Sequence, residues 1–323
     1  MTTYLIYSDI YLEHNTGMHP ENKMRLENSF AYLKRKGWLD QPAGSPNNRG
    51  KLNLTPPRKA TVEEIAYIHN KDYIRSVEEM AAQGFGYLDP DTPVSKKSYE
   101  AALFAAGGVL TAADKVMETQ KSNAFCLVRP PGHHSLPDQG MGFCLFNNIA
   151  IGARYVQKKH GIKKVAIIDW DRHHGNGTQE AFYEDDTVLF CSLHRYPYYP
   201  GSGASSENGQ GKGKGFTANL PLDGHLSSQD YIDAFAALIN NAVKPFKPEF
   251  IFISAGFDTY AHDPLGGLGL EAEDYASLTK MVMEASREAG CQGRIVSALE
   301  GGYDLQGLPL CIEAHLAALS GNS

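Results

Sequence analysis

The sequence predicts an α/β protein: an open parallel sheet with helices on both faces. Two observations carry that expectation. Short apolar runs alternate with longer amphipathic segments along the 323 residues, the order of strands joined by crossover helices. Five of the six runs are also followed closely by histidine, aspartate, glycine or tyrosine clusters. Open parallel sheets bind their ligands at the carboxyl ends of their strands.

In chain order the apolar runs are residues 4–7, 124–128, 165–168, 188–192, 250–254 and 294–299. Continuous apolar runs of this length read as strands buried on both faces. Between them, residues 98–118, 148–159, 229–243 and 272–289 are amphipathic and read as helices. Residues 41–51 are rich in Pro, Gly and Asn, and residues 201–215 in Gly, Ser and Lys. Neither stretch flanks a composition shift, so both are expected to be surface loops of a single domain spanning residues 1–323. No internal repeat interrupts the pattern.

Composition narrows the function classes. Hydrophobic residues make up 42% of the chain, enough for a sizeable core. A formal charge of −7 argues against a nucleic-acid surface, although it suits a basic peptide substrate. The five cysteines are odd in number and lack CxxC spacing, which fits buried, reduced thiols. The first residues carry no basic leader, and no apolar run approaches the roughly 20 residues that span a bilayer. The expectation is a soluble, cytoplasmic protein without membrane partners; a homo-oligomer is left open.

The most informative segment follows the run at 165–168: Asp169-Trp170-Asp171-Arg172-His173-His174-Gly175-Asn176-Gly177. In an extended stretch, Asp169, Asp171 and His173 share one face and can converge. Two carboxylates and an imidazole suit a divalent metal such as Zn²⁺; the alternative is ordinary turn polarity. After residues 124–128 comes Arg129-Pro130-Pro131-Gly132-His133-His134, two histidines on a tight turn and natural acid–base groups near neutral pH. Asp258 follows the run at 250–254 and could complete a three-ligand set, or simply cap a loop. Leu299-Glu300-Gly301-Gly302-Tyr303 ends the last run, delivering a phenol that could hydrogen-bond a developing oxyanion or merely pack. The aromatic stretch 194–203 could wall a channel or pack on the surface.

Together these residues resemble the zinc-dependent histone deacetylase family, including its bacterial amidohydrolases and acetylpolyamine amidohydrolases. RPPGHH, GFCLFNN, DWDRHHGNGTQ, SAGFD with DPLGG, and LEGGY occur in family order, from His19 to Tyr303. Asn176, where class I enzymes usually carry Asp, places the likeness nearest class II. The resemblance implies an arginase-like open fold with an eight-stranded parallel sheet, two strands more than the runs above. It implies Asp171, His173 and Asp258 as zinc ligands, with Asp169 moved to supporting His133. It further implies a structural K⁺ held by Asp169, Ser192, Leu193 and main-chain oxygens of Asp171 and His173. His134, held by Asn176, would be the general base, His133 its electrostatic partner, and Tyr303 the carbonyl-polarising group. Gly142, Phe143 and Tyr199 would line the acyl-lysine channel, Asp91 would hold the substrate backbone, Leu265 would sit at the mouth, and Arg25 would lie toward acetate release.

The implied activity is zinc-dependent removal of acetyl or related acyl groups from lysine side chains of peptides or proteins. Hydrolysis of acetylpolyamines or other small N-acyl amines is the alternative, and a silent acyl-lysine binder a third. Leu265, where polyamine specialists tend to carry an acidic gatekeeper, favours peptides. Two departures stand out. Arg172 occupies a position that is usually apolar between the ligands, and alternation should turn it from the metal toward an acidic or solvated partner. Lys23 replaces a frequent proline in the His-Pro-Glu loop.

Overall fold

The computed structural model describes residues 1–39, 52–224 and 226–321; the loop expected at 41–51 lies outside the described residues. Its strands are β1 (Thr2–Ile6), β2 (Asn53–Thr55), β3 (Phe85–Tyr87), β4 (Pro93–Ser95), β5 (Ser122–Cys126), β6 (Val165–Asp169), β7 (Val188–Arg195), β8 (Thr217–Leu222), β9 (Phe250–Ala255) and β10 (Ile295–Leu299). Eight form one sheet in the order β2-β1-β5-β10-β9-β6-β7-β8. Every pairing in it is parallel. β3 and β4 make a separate antiparallel pair.

All six runs read from the sequence are strands, and they fill the middle of the sheet. β5, β6, β9 and β10 are buried at every residue, as two covered faces require. The two strands missing from the periodicity reading, β2 and β8, are the edges. β2 has only three residues, none of them buried, and β8 carries Asn219 and Pro221. Neither is a continuous apolar run, and proline is tolerated in edge strands.

The helices are α1 (Met24–Arg35), α2 (Val62–Ile65), α3 (Lys71–Gln83), α4 (Ser98–Glu118), α5 (Asn148–His160), α6 (Asn176–Phe182), α7 (Ser228–Leu238), α8 (Lys244–Phe246), α9 (Asp274–Glu288) and α10 (Gly307–Ser320). A π turn, Ile239–Val243, joins α7 to α8. α4 and α5 pack together on the central strands, while α10 covers β1 and β5 with α1 and α9 against it. The sheet is thus a covered middle layer. The loops leaving β5, β6, β9 and β10 open at its carboxyl edge, the third and fourth of them from strands flanking each other at its centre.

Candidate active site

β6 ends at Asp169, and the chain turns rather than continuing extended. That turn separates the three residues that strand spacing alone would have grouped. Asp169 faces back: its Oδ1 accepts from the Asp171 N–H (3.0 Å) and its Oδ2 meets His133 Nδ1 (3.0 Å). Asp171 and His173 instead converge with Asp258 from the loop after β9, with one donor atom from each within 4.8 Å of the others. His173 Nδ1 lies 3.1 Å from Asp171 Oδ1 and 3.0 Å from Asp258 Oδ2. Both aspartates are completely buried.

This trio fits a divalent metal on three grounds. Asp258 Oδ2 is buried and accepts no well-directed hydrogen bond, its one close polar neighbour among the described residues being His173 Nδ1 at 3.0 Å, and a cation is the natural complement of a carboxylate oxygen left in that state. Two glycines keep the space around the carboxylates open. A Cβ on Gly256 would stand 2.1 Å from Asp171 Oδ2, and one on Gly301 would stand 2.5 Å from both Asp171 Oδ2 and Asp258 Oδ2. Burial lowers the His173 pKa, but hydrogen bonds and charge from Asp171 and Asp258 outweigh it and raise it to about 9. The pair that holds a proton there would equally attract a metal ion. Burial and then the Asp171 charge push the Asp258 carboxyl up, as expected for two carboxylates sharing one site.

The loop after β5 supplies the histidine pair, whose rings lie 4.0 Å apart. Burial opposes a charge on His133, yet Asp171 and Asp169 together raise its pKa to about 10. His134 moves the other way, lowered first by burial and then by the neighbouring His133 and His173 charges. Its Nδ1 lies 2.8 Å from Asn176 Oδ1. An amide oxygen accepts only, so Nδ1 carries the proton and Nε2 keeps a free lone pair.

Tyr303 follows β10. Its backbone N–H donates to Asp263 Oδ2 (2.6 Å), and the other oxygen of Asp263 accepts from Leu265 N–H (3.0 Å). One carboxylate thereby ties the phenol to the mouth of the pocket. Arg25 lies beneath, its guanidinium 4.9 Å from the Tyr303 ring centroid. It donates to the carbonyls of Gly302 and Glu300 (2.6 Å each) and to Glu21 (3.0 Å). Arg25 therefore clamps the Gly-Gly-Tyr turn. Burial keeps the Tyr303 phenol protonated, well above its ordinary pKa.

Above these groups opens a cavity of about 400 Å³ lined by Asp91, His134, Gly142, Phe143, His173, Tyr198, Tyr199, Pro264, Leu265 and Tyr303. Every channel and mouth residue read from the sequence is on that wall. The Tyr199 ring stands edge-on to His134 (5.2 Å) and Phe143 edge-on to Tyr303 (5.9 Å). Asp91 is exposed at the rim, where burial and then the adjacent Asp89 raise its pKa to about 6. Asp169 pairs with Ser192 across the β6–β7 register, and Leu193 is buried beside it. His174 bonds Ser202 and Gln179 and stays outside the metal trio.

Arg172 departs from its expectation. It is buried, and although its backbone N–H donates to Asp258 Oδ1 (2.9 Å), its guanidinium has no carboxylate partner among the described residues. Its guanidinium lies on the Tyr198 ring at 4.2 Å, with Nη1 3.4 Å from His173 Nε2. An aromatic face takes the place of the acidic or solvated partner.

A histone deacetylase domain model matches residues 19–319. The chain belongs to the histone deacetylase family. It is 40% identical to a probable deacetylase of Archaeoglobus fulgidus, covering 99% of this chain and 87% of that one. It is 39% identical to a histone deacetylase-like amidohydrolase of Pseudomonas aeruginosa (94% and 76%), and 35% identical to histone deacetylase 9 of Homo sapiens (99% and 34%). Among solved structures, the HDA15 HD domain superposes with a TM-score of 0.90 at 35% identity, over 100% of this chain and 90% of that one. The arginase/deacetylase fold and its eight strands, expected from the resemblance, are thereby borne out. Family and relatives support deacetylase activity.

Three site residues had no role in the sequence reading. Asp263 stood in the DPLGG motif, Glu21 and Arg129 in the His-Pro-Glu and Arg-Pro-Pro motifs. Arg129 forms a buried two-pronged pair with Glu21, which also holds Arg25. The signal was present in the motifs, but partners 108 residues apart carry no spacing by which to recognise them.

Proposed function

We propose that the protein is a zinc-dependent amidohydrolase that removes acetyl or related acyl groups from lysine side chains of peptides or proteins. The observation that carries this reading is the convergence of Asp171, His173 and Asp258 at a pocket that also presents His134 and Tyr303. Zinc held by that trio would supply a Lewis acid, polarising a carbonyl and acidifying water.

The chain's own residues supply the rest. His134, neutral and oriented by Asn176, takes a proton from the attacking water at Nε2 and passes it to the departing amine. His133, bonded through Nδ1 to Asp169, stands beside His134 and offsets negative charge developing there. Tyr303 donates its phenolic proton in a hydrogen bond to the oxyanion. Gly142, Phe143 and Tyr199 enclose the methylene stem of the acyl-lysine, and Asp91 at the rim accepts from the substrate backbone. Arg25 secures the Tyr303 turn on the side assigned to acetate release. Asp169, Ser192 and Leu193, with main-chain oxygens of Asp171 and His173, are proposed to hold a structural K⁺ beneath the site. The cell compartment assigned is the cytoplasm; among the described residues no helix is long and apolar enough to cross a membrane.

Leu265 favours peptides over polyamines, because an apolar side chain stands at the position where an acidic one would greet a second ammonium. Comparing kcat/KM for an acetyl-lysine peptide and acetylputrescine, with and without added zinc, tests the proposal. A preference for acetylputrescine would replace the substrate assignment. Activity on neither, with zinc bound, would leave an acyl-lysine binder.

A further inference from the structure

Directly behind the histidine pair lies a cluster that the hydrolytic reading leaves unexplained. His133, Cys144 and Glu300 are all buried, and one donor atom of each lies within 4.8 Å of the other two. Glu300 Oε2 accepts from the backbone N–H groups of Gly132 (2.7 Å) and His133 (3.1 Å). Its Oε1 is buried and has no hydrogen-bond partner. An unpaired carboxylate oxygen in the interior is costly unless something positive or protic answers it.

The other two donors are poised in the same way. His133 Nδ1 is held by Asp169 Oδ2 at 3.0 Å, and a carboxylate on one ring nitrogen is how metal-ligating histidines are oriented through the other. Cys144 Sγ has a carbonyl contact with Gly142 at 3.3 Å, a weak bond that a metal can displace. Cys144 directly follows Gly142 and Phe143, which line the cavity, so the cluster sits one residue behind the pocket wall. Sulfur, imidazole and carboxylate together suit a borderline ion such as Zn²⁺ or Co²⁺ and disfavour Mg²⁺ or Ca²⁺.

We propose that His133, Cys144 and Glu300 form a second, inner site for a borderline divalent metal, and that filling it arrests hydrolysis by claiming His133. The arrest rests on the hydrolase reading above; the binding site does not. On binding, the Cys144 S–H bond breaks as a sulfur–metal bond forms, and the protonated His133 ring gives up the proton of the nitrogen that takes the metal. Both protons go to solvent, and no electron is transferred.

The two sites are distinguishable by colour, because Asp171, His173 and Asp258 contain no sulfur. Chelator-stripped full-length protein is titrated with Co²⁺ while absorption and activity on an acetyl-lysine peptide are followed. The expected result is a near-ultraviolet sulfur-to-cobalt charge-transfer band, with activity falling at least about tenfold as that band saturates. Cys144→Ser should lose the band and keep its activity at the same Co²⁺ excess. Glu300→Gln, which retains an acceptor for Gly132 and His133, should need at least about tenfold more Co²⁺ to develop the band. No band in the native chain, or an unchanged band in Cys144→Ser, overturns the site. An unchanged Co²⁺ requirement in Glu300→Gln removes Glu300 from it. A band that saturates without loss of activity overturns the arrest alone, whereas a protein inactive at every Co²⁺ level sinks the hydrolase reading and leaves the band as the test of the site.

Discussion

Replacing Tyr303 with phenylalanine deletes one hydroxyl and leaves the rest of the pocket as it stands. The ring is fixed by the Arg25 guanidinium at 4.9 Å and the Phe143 edge at 5.9 Å, and its turn by the bond from Tyr303 N–H to Asp263. None of these contacts uses the hydroxyl, which has no hydrogen-bond partner among the described residues. Its removal should therefore leave the melting temperature almost unchanged and the zinc content unaltered. Catalysis should suffer, because an oxyanion donor contributes about 2.7–4 kcal/mol, or roughly 10²–10³ in kcat. KM should move little, since the hydroxyl acts mainly on the charge that develops in the transition state. Steady-state kinetics on an acetyl-lysine peptide, metal analysis and a thermal melt read all three quantities. A kcat within about fivefold of wild type, at full zinc occupancy, would refute the role given to this phenol.

Other perturbations follow from the same geometry. Gly256→Ala places a methyl group against Asp171 Oδ2, so zinc affinity should fall by at least about 10–100-fold; competition with a chelator measures it, and unchanged affinity would mean the carboxylate can move aside freely. Arg172→Met exchanges a buried cation on an aromatic face, worth about 2 kcal/mol, for apolar packing without desolvation cost. The net change in unfolding free energy should stay within about 1–2 kcal/mol, and a much larger loss would reveal a partner for the guanidinium. Acid stability should reflect His14 and His315, both lowered by burial to about 3, and His69, lowered by burial to about 4. Because the unfolded chain binds these protons first, their contribution is complete above pH 6.5 and is lost as pH falls toward 3–4. Each adds a slope of up to about 1.4 kcal/mol per pH unit. His315→Gln should flatten denaturant-derived stability between pH 6 and 4; an unaltered slope would show that His315 does not titrate on unfolding.

What the sequence disclosed followed from how strongly each element is constrained. Strands buried on two faces must be apolar throughout, so β5, β6, β9 and β10 were legible without any structure. The edge strands β2 and β8 pair on one side only and tolerate polar residues, which erased their pattern. Helix α10 was missed for a related reason: it is apolar nearly all round and shows no helical stripe. Within the site, adjacent chemistry was visible, as in the two histidines after Pro130-Pro131. Spacing grouped Asp169 with Asp171 and His173 because an extended chain was assumed, whereas the strand stops at Asp169. Asp258, left by spacing alone between ligand and cap, was assigned only by family motif; no local rule links it to a residue 85 positions earlier.

That separation also bears on how the protein comes to be folded. Asp171 and His173 leave β6 and Asp258 leaves β9, which are neighbours in the sheet yet distant along the chain. The donors meet only after a parallel pairing of high contact order has formed, a slow, entropically costly kind of step. A metal ion would therefore find its trio late, among nearly native molecules, and could not serve as a template for collapse. Its contribution to durability would come through mass action on the finished fold: added zinc should slow unfolding while leaving the rate of refolding almost untouched.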